Sequence, residues 1–369
     1  MKQGWEYKKI GNICNITTGK LDANAANEDG LYPFFTCSRI PLSINTYAYD
    51  CECILIAGNG DLNVKYYNGK FNAYQRTYIL QLKNDVNGVE MRYIFAFFNL
   101  YIEELRRKSI GGIIKYIKLG DLTNALLPLP DITTQLSIVS ELDKINELIR
   151  LKQEQLKDYD NLAQSIFYEM FGDPVENEKG SEVKKIGEIG SVERGAGISK
   201  KDFVEDGLPC IHYGQLHTIL EARTKKHYTS IPHDLLPKYK VAHTGDLVMA
   251  ITSEDVEGSC KSTAWLGNYD VIVGSDAAIL HHEQDGTFLS YYTMTKAFYN
   301  EKAKYAKGFK VTHISTKEIE KISVFLPPLP LQHLFAQRIE QIERQKSAVQ
   351  KSITDLETIL ASRMQYWFE

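Results

Sequence analysis

The sequence has no stretch able to cross a bilayer. Its most apolar run, 93-YIFAFFNLYI-102, is far shorter than the ~20 residues a spanning helix needs. The opening MKQGWEYKKIG has no apolar signal core. Cysteine is sparse, and no pair has C-x-x-C spacing. Cys14, Cys37, Cys51, Cys53, Cys210 and Cys260 include a single C-x-C, which excludes the common zinc patterns and a secreted disulfide framework and leaves reduced thiols in a cytosol. Neither sign of charge dominates: the net charge of −4 is no global signature of nucleic-acid binding. Together these absences predict a soluble cytoplasmic protein. With 369 residues and 43% apolar composition, the chain is large enough for two globular units with real cores.

Catalytic motifs are missing as well. Residues 190-GSVERGAGISK-200 are glycine-rich but lack the GxxxxGK[ST] spacing that wraps phosphate, so they read as a turn. His212 and His217 are five residues apart and His281-His282 are adjacent; neither spacing places two ligands on one helix face, so core or solvated histidines are expected. Pro130-Asp131 followed by Glu182-Val183-Lys184 matches a nuclease carboxylate–lysine pattern only superficially, because a long predicted helix intervenes. No glycine-rich methyl-donor loop and no Asn/Asp-Pro-Pro-aromatic motif for a flipped base is present. The sequence therefore offers no active site, no metal site and no cofactor site of its own.

What it does contain is a duplication. An offset of 197 aligns residues 111–171 with 308–368 without a gap: Gly111 meets Gly308, Leu129-Pro130 meets Leu326-Pro327, Gln135 meets Gln332, and Phe171 meets Phe368. Upstream, Lys8-Lys9-Ile10-Gly11 is echoed by Lys184-Lys185-Ile186-Gly187, and 54-ILIA-57 by 247-LVMA-250. The chain reads as two head-to-tail copies of one unit: a globular part, a proline pair, then a long segment. The expected divisions are 1–130, 131–173, 174–330 and 331–369.

The long segments are predicted helices. Pro128 and Pro130 end the preceding structure, with Asp131, Thr133 and Thr134 as N-cap candidates. Apolar side chains then recur in steps of four and three: Ile138, Leu142, Ile145, Ile149, Leu156, Tyr159, Ala163, Ile166 and Met170, with Lys152 in the stripe. The second copy gives Phe335, Ile339, Ile342, Val349, Ile353, Leu356, Leu360 and Trp367, with Lys346 and Arg363 in the stripe. A period of about 3.5 held over five heptads is a coiled-coil seam, and each helix has the other available to pack against. Roughly 37 helical residues would make a rod of about 55 Å. Short apolar runs separated by Gly, Asn and Asp turns, with single helices near 91–108 and 288–304, make the globular parts α+β.

Binding chemistry is better supplied than catalysis. In 72-NAYQRTY-78, Tyr74 precedes Gln75 and Arg76, residue types that make bidentate contacts to adenine and guanine edges. The loop 57-AGNGDLNVK-65 offers Asn59, Asn63 and Lys65 beside a glycine turn. The counterpart, 252-TSEDVEGSCKSTAW-265, offers Glu254, Asp255, Lys261 and Ser262; the acids can accept from cytosine and the lysine can donate to guanine or phosphate. Basic runs precede each long segment: Arg106, Arg107, Lys108, Lys115 and Lys118, then Lys302, Lys304, Lys307 and Lys310. Lys115, Lys118, Lys307 and Lys310 suit phosphate contacts that position a protein without specifying sequence.

Two variable domains, each ending in a Leu-Pro-rich turn, Gln135 or Gln332, and a long coiled-coil helix, resemble the specificity subunit of type I restriction-modification enzymes. Residues 166-IFYEMFGDP-174 and 68-NGKFNAYQRTYIL-80 share that likeness, which covers essentially the whole chain. The proline spacing differs between the copies, PPLP at 327–330 against PLPD at 128–131. The resemblance implies two α+β target recognition domains joined by an antiparallel coiled coil with pseudo-two-fold symmetry. Each domain would read one half of a split double-stranded DNA target, and helix length would set the spacer. It further implies two modification subunits that bind S-adenosylmethionine and methylate a flipped adenine, and restriction/translocase subunits that use ATP and Mg2+. A self-sufficient DNA methyltransferase or nuclease would instead show turnover by the lone chain. A coiled-coil adaptor that binds only proteins would show no salt-sensitive DNA affinity.

Overall fold

A computed structural model describes residues 4–198, 200–233, 239–308 and 311–369. It divides into two compact units, residues 1–154 with 349–369, and residues 155–348. Each holds one α+β globular part and a stretch of both long helices, which are Ile132–Phe171 and Leu329–Phe368, forty residues each.

The strands of the first unit are β1 (Glu6–Lys9), β2 (Cys14–Thr18), β3 (Tyr32–Phe35), β4 (Leu42–Ile44), β5 (Tyr49–Ala57), β6 (Val64–Ala73), β7 (Thr77–Leu82) and β8 (Leu126–Leu129). Six of them form one sheet in the order β2-β7-β5-β6-β3-β4, antiparallel except between β3 and β6. Successive side chains of a strand point to opposite faces, and both faces are covered here. Ile54, Ile56 and Leu80 join a core with Ile94 and Phe98 of the helix Met91–Lys108, whereas Cys53, Leu55 and Ile79 pack with Phe35 and Phe71.

In the second unit the same logic runs through β9 (Glu182–Lys185), β10 (Gly190–Arg194), β11 (Leu208–Ile211), β12 (Arg223–Thr224), β13 (Thr229–Ile231), β14 (Lys240–Ala242), β15 (Leu247–Ala250), β16 (Thr252–Ser253), β17 (Ser262–Trp265), β18 (Val271–Val273), β19 (Ala277–His282), β20 (Thr312–His313) and β21 (Ser323–Leu326). The sheets are β10-β19-β15-β17-β12 and β13-β11-β18-β14. Leu247, Met249 and Leu280 face the long helices' core, and Val248, Ala250 and Ile279 face the opposite one. In each unit the first strand pairs antiparallel with the strand that immediately precedes a long helix, β1 with β8 and β9 with β21.

The first long helix is capped by Asp131, whose Oδ1 accepts from the Thr134 amide at 3.0 Å. The second begins at Leu329, two residues before the expected boundary, because a proline in the first helical turn forfeits no intrahelical hydrogen bond and Pro330 can be absorbed there. Both helices run antiparallel where they pair. In the first unit Glu141 accepts from Arg363 Nη2 and Trp367 Nε1, both at 3.0 Å, and Phe368 packs with Ile138 and Leu142. In the second unit Lys346 pairs with Asp160 at 2.8 Å and Arg338 with Glu169 at 3.7 Å.

Most of the stripe is covered: Ile138, Leu142, Ile145, Ile149, Ala163, Met170, Phe335, Ile339, Ile342, Val349 and Ile353 are buried, while Leu156, Tyr159, Leu356 and Leu360 are half-buried. Toward the end of the first helix the buried face turns by one position. Ile166 is half-buried, and Phe167 and Phe171, each 1% exposed, pack on Phe288 and Phe335. A helix facing a domain core presents a wider apolar arc than a two-helix seam, so the strict step of four and three fails there. All six cysteines are free, and burial pushes the thiols of Cys14 and Cys260 up to about 12, which keeps them protonated and inert. Among the described residues no helix is long and apolar enough to cross a membrane.

The matched glutamines explain how each globular part is fixed to its helix. Gln135 has no exposed surface; its amide donates to Gly88 O at 3.0 Å and Pro130 O at 2.8 Å, and its oxygen accepts from Glu90 N at 3.0 Å. Gln332, equally buried, donates to Pro327 O at 2.8 Å and Gln284 Oε1 at 2.9 Å and accepts from Asp285 N at 3.1 Å. Gln135→Leu would leave a buried donor and two acceptors unpaired, at about 1–3 kcal/mol for each group left unsatisfied. Urea unfolding should show a loss of that order for Gln135→Leu and for Gln332→Leu. The two losses should add in the double variant, because the residues share no partner.

Candidate nucleic-acid interface

Three segments of the first unit meet at one edge of its sheet: the loop 58–63 between β5 and β6, the turn 74–76 between β6 and β7, and a hairpin over 110–116. Backbone hydrogen bonds knit them together. Gly58 N donates to Arg76 O at 2.8 Å, Ile117 N to Gly58 O at 3.0 Å, and Gly60 N to Lys115 O at 3.0 Å. The edge therefore gathers Asn59, Tyr74, Gln75, Arg76 and Lys115. Gln75 and Arg76 are exposed and have no side-chain partner among the described residues; Asn59 and Tyr74 are half-buried. Lys115 and Lys118 are exposed and form no ion pair among the described residues.

Asn63 and Lys65 are used differently. Asn63 is 8% exposed, and its amide donates to Cys37 O at 2.9 Å and Asp61 O at 2.8 Å, holding the loop from within. Lys65 donates to Asn63 Oδ1, and burial draws its pKa below the ordinary lysine value. Asp61 is the loop's one acid, and the Arg39 guanidinium at 2.7 Å holds it below the usual carboxylate range, with Arg106 at 3.6 Å. The segments 58–65, 74–76 and 110–118 carry four cations, Lys65, Arg76, Lys115 and Lys118, against that acid. The edge is positive although the chain is not.

The second unit repeats the knit with other side chains. Ile251 N donates to Asp276 O at 3.0 Å, Ile314 N donates to Ile251 O at 3.0 Å, and Thr252 lies opposite His313 where β16 pairs with β20. Glu254 and Asp255 are exposed, and Asp255 Oδ1 accepts from Gly258 N at 2.7 Å. Lys261 is exposed and reaches His217 O at 3.3 Å; Ser262 is buried and bonded to Thr293 Oγ1 at 2.6 Å. These four line a cleft of about 1100 Å3 whose far wall includes Asp160, Glu343 and Lys346. The counterpart of Gln75-Arg76 is Ser275-Asp276, on the turn between β18 and β19. Residue spacing does not single out this turn, because its sole signal is the alignment of Ile79-Leu80 with Ile279-Leu280. With Glu254, Asp255 and Asp276 at it and Lys261 and Lys307 beside them, this edge is of mixed charge where the first is basic.

The basic runs are largely spent on internal partners. Arg106 bonds Leu62 O at 2.7 Å, Arg107 and Lys108 pair with Glu104, and Lys304 pairs with Glu301. Lys302 is 4% exposed and donates to Glu257 O at 2.7 Å and Ser259 O at 2.5 Å, so it belongs to the interior. Lys307 is exposed but tethered to Glu318 at 2.5 Å, and Lys310 lies outside the described residues. Among the described residues no cluster of His, Cys, Asp or Glu could hold a metal. Asp131 is engaged as a helix cap and Glu182 pairs with Lys184 at 3.1 Å, so these residues are accounted for locally. His281 bonds Asp246 at 2.8 Å, and burial lowers the pKa of His282, consistent with core histidines.

The family described as Type I restriction modification DNA specificity domain matches residues 2–158 and 178–358. The specificity subunit of type I restriction enzyme EcoDI from Escherichia coli is 26% identical over 95% of this chain and 84% of its own length. That of type I restriction enzyme MjaVIII from Methanocaldococcus jannaschii is 22% identical over 92% and 86%. Two solved structures share the fold. The S subunit of a type I restriction-modification system from M. genitalium has a TM-score of 0.57 at 14% identity, over 100% of this chain and 98% of that one. A chain solved in work on complex assembly and conformational transition of the type I system has 0.59 at 18%, over 99% and 97%.

Hydrogen bonds from Lys307 and from Ser315 hold the Glu318 carboxyl down at about 2. A folded-state pKa below the unfolded value of about 4.3 contributes stability that is fully present above pH 4.3 and fades as pH falls toward 2. Carbon-detected NMR titration of Glu318 should place its midpoint near the lower value, and Lys307→Ala should move it up; a midpoint near 4 in the parent protein would refute the tether.

Proposed function

The chain belongs to the type I restriction-modification DNA specificity domain family, whose match takes in most of its length, and on that premise we propose that each globular unit reads one half of a split duplex-DNA target. A DNA sequence-specificity role is the family's role, and the chain is the non-catalytic component of its complex. The observation that carries the two-half reading is the duplicated edge. Identical backbone hydrogen bonds present Gln75 and Arg76 in one unit and Ser275 and Asp276 in the other, so two different base sequences are suited to one scaffold.

In this reading Asn59, Tyr74, Gln75 and Arg76 face the bases of one half-site, with Gln75 suited to adenine and Arg76 to guanine. Glu254, Asp255 and Asp276 accept from cytosine amino groups in the other, with Lys261 near phosphate or guanine. Lys115 and Lys118, and Lys307 and Lys310 in the second unit, contact phosphates; Asn63, Lys65 and Ser262 hold their loops. The paired long helices set the spacer between half-sites. Two modification subunits supply S-adenosylmethionine and methylate adenine, and restriction subunits supply ATP-driven, Mg2+-dependent cleavage. The complex works on DNA in the cytoplasm.

Lys115→Ala with Lys118→Ala, assayed in the assembled methyltransferase, should weaken binding to all duplexes alike and reduce the slope of log K against log salt by about 0.9 for each phosphate no longer neutralised. Gln75→Ala with Arg76→Ala should instead change the methylated sequence at one half-site and leave the other half unaltered. Methylome sequencing reads this directly, and a change in both halves, or in neither, would reject the one-unit-per-half assignment.

A further inference from the structure

The hairpin over 110–116 ends in an apolar tip that nothing in its unit covers. Ile113 is 103% exposed and Ile114 62%. Scattered exposed apolar residues are ordinary, but this pair is held out by a built device. Ile110 and Tyr116 exchange both backbone hydrogen bonds, at 3.0 and 2.8 Å. Between them Gly111 has φ +122°, and a Cβ there would collide with the Ile114 carbonyl oxygen. In the second unit the described residues on either side of 309–310 repeat the bracketing bonds. Lys307 and His313 exchange both bonds, at 3.2 and 2.8 Å, Gly308 has φ +121°, and Val311 at the position of Ile114 is 55% exposed. Two copies with little side-chain identity thus keep a glycine of unusual conformation followed by an exposed β-branched residue. Such a residue is stiff at χ1 and adds nothing to its own core.

We propose that the tip of the first unit is a wedge that enters the DNA and partly unstacks a base step beside the half-site read by that unit. This deepens, and rests on, the DNA-reading function above. Three observations favour DNA over a protein partner. Residues after the tip are hydrogen-bonded to the base-facing loop, through Lys115 to Gly60 in the first unit and through β20 to β16 in the second. Lys115 and Lys118 follow the first tip without acid partners among the described residues, which suits phosphates beside an inserted side chain. The tip is narrow and closed at its base by the Ile110–Tyr116 bonds, as suits the insertion of an Ile or Leu between base steps, where a better-wrapped duplex offsets the unstacking.

The test compares the assembled complex with its Ile113→Ala/Ile114→Ala and Ile113→Met/Ile114→Met forms. Gel filtration with the modification subunits, binding over a salt series, and duplexes scanned with the fluorescent adenine analogue aminopurine are the readouts. A wedge predicts intact assembly for both forms. It also predicts affinity down about tenfold or more in the alanine form, because less apolar surface is buried, at an unchanged salt slope. One enhanced aminopurine position flanking the half-site should disappear with alanine and be partly kept with methionine. Loss of assembly would make the tip a protein dock and overturn the proposal, as would unchanged affinity and fluorescence. Failure of the parent complex to bind DNA in a salt-sensitive way would sink the DNA-reading function itself, and the wedge with it.

Discussion

Each half of this molecule depends on a single buried amide. Gln135 and Gln332 sit one turn into their long helices and spend both oxygen and nitrogen on backbone or side-chain groups of the preceding segments. A carboxylate of the same shape could not donate, and an aliphatic side chain could do neither. The helix and the globular part of each unit are therefore locked at one angle, which an apolar contact alone, being non-directional, would not enforce. For a protein whose helices are proposed to set a spacing, a loose joint there would waste their stiffness.

Beyond that joint the chain separates what is kept from what varies. The backbone bonds that tie the loop after β5 or β15 to the following turn and hairpin recur in both units, while the side chains on them differ in charge and hydrogen-bonding sense. Backbone groups carry no sequence information, so this scaffold can persist through duplication and divergence. In the proposed reading, specificity is then free to change by substitution at Gln75, Arg76, Ser275 and Asp276, without refolding the sheet. The different charge of the two edges, basic in the first and mixed in the second, follows from this freedom and needs no change of fold.

Much of this was legible from residue spacing because the duplication and the helical stripe are long-range patterns that local context does not override. The α+β class and the long helices follow from it. The glutamines could be matched between copies, but their role could not be read, since the partners that tie them to the globular part lie 45 or more residues away in sequence. Lys302 looked like part of a basic face, yet a lysine's charge can be satisfied by carbonyls in the interior, and burial is not written in the residue type. Phe167 and Phe171 escaped the seam because there the helix answers to a globular core. Ser275-Asp276 was missed because two small polar residues in a turn look like any other turn.

Duplication also creates a hazard that the helices answer. Two stripes descended from one sequence could pair in several registers, or each with its own likeness in a second molecule. At the offset that aligns the copies, Lys346 corresponds to Ile149 and Arg363 to Ile166, so the second stripe is interrupted by cations where the first is aliphatic. Lys346 is 14% exposed at its side chain and satisfied by Asp160 at 2.8 Å and Glu221 at 3.0 Å; Arg363 is satisfied by Glu141. Although burial works against its charge, these acids hold Lys346 above its usual pKa, so it stays ionised. A slipped register, or a second helix facing another second helix, would bring these cations against apolar groups or each other. An unpaired buried charge is among the costliest errors a helix pair can make. The polar breaks in the stripe thus favour the antiparallel pairing of unlike copies, in which both Lys346 and Arg363 meet acids.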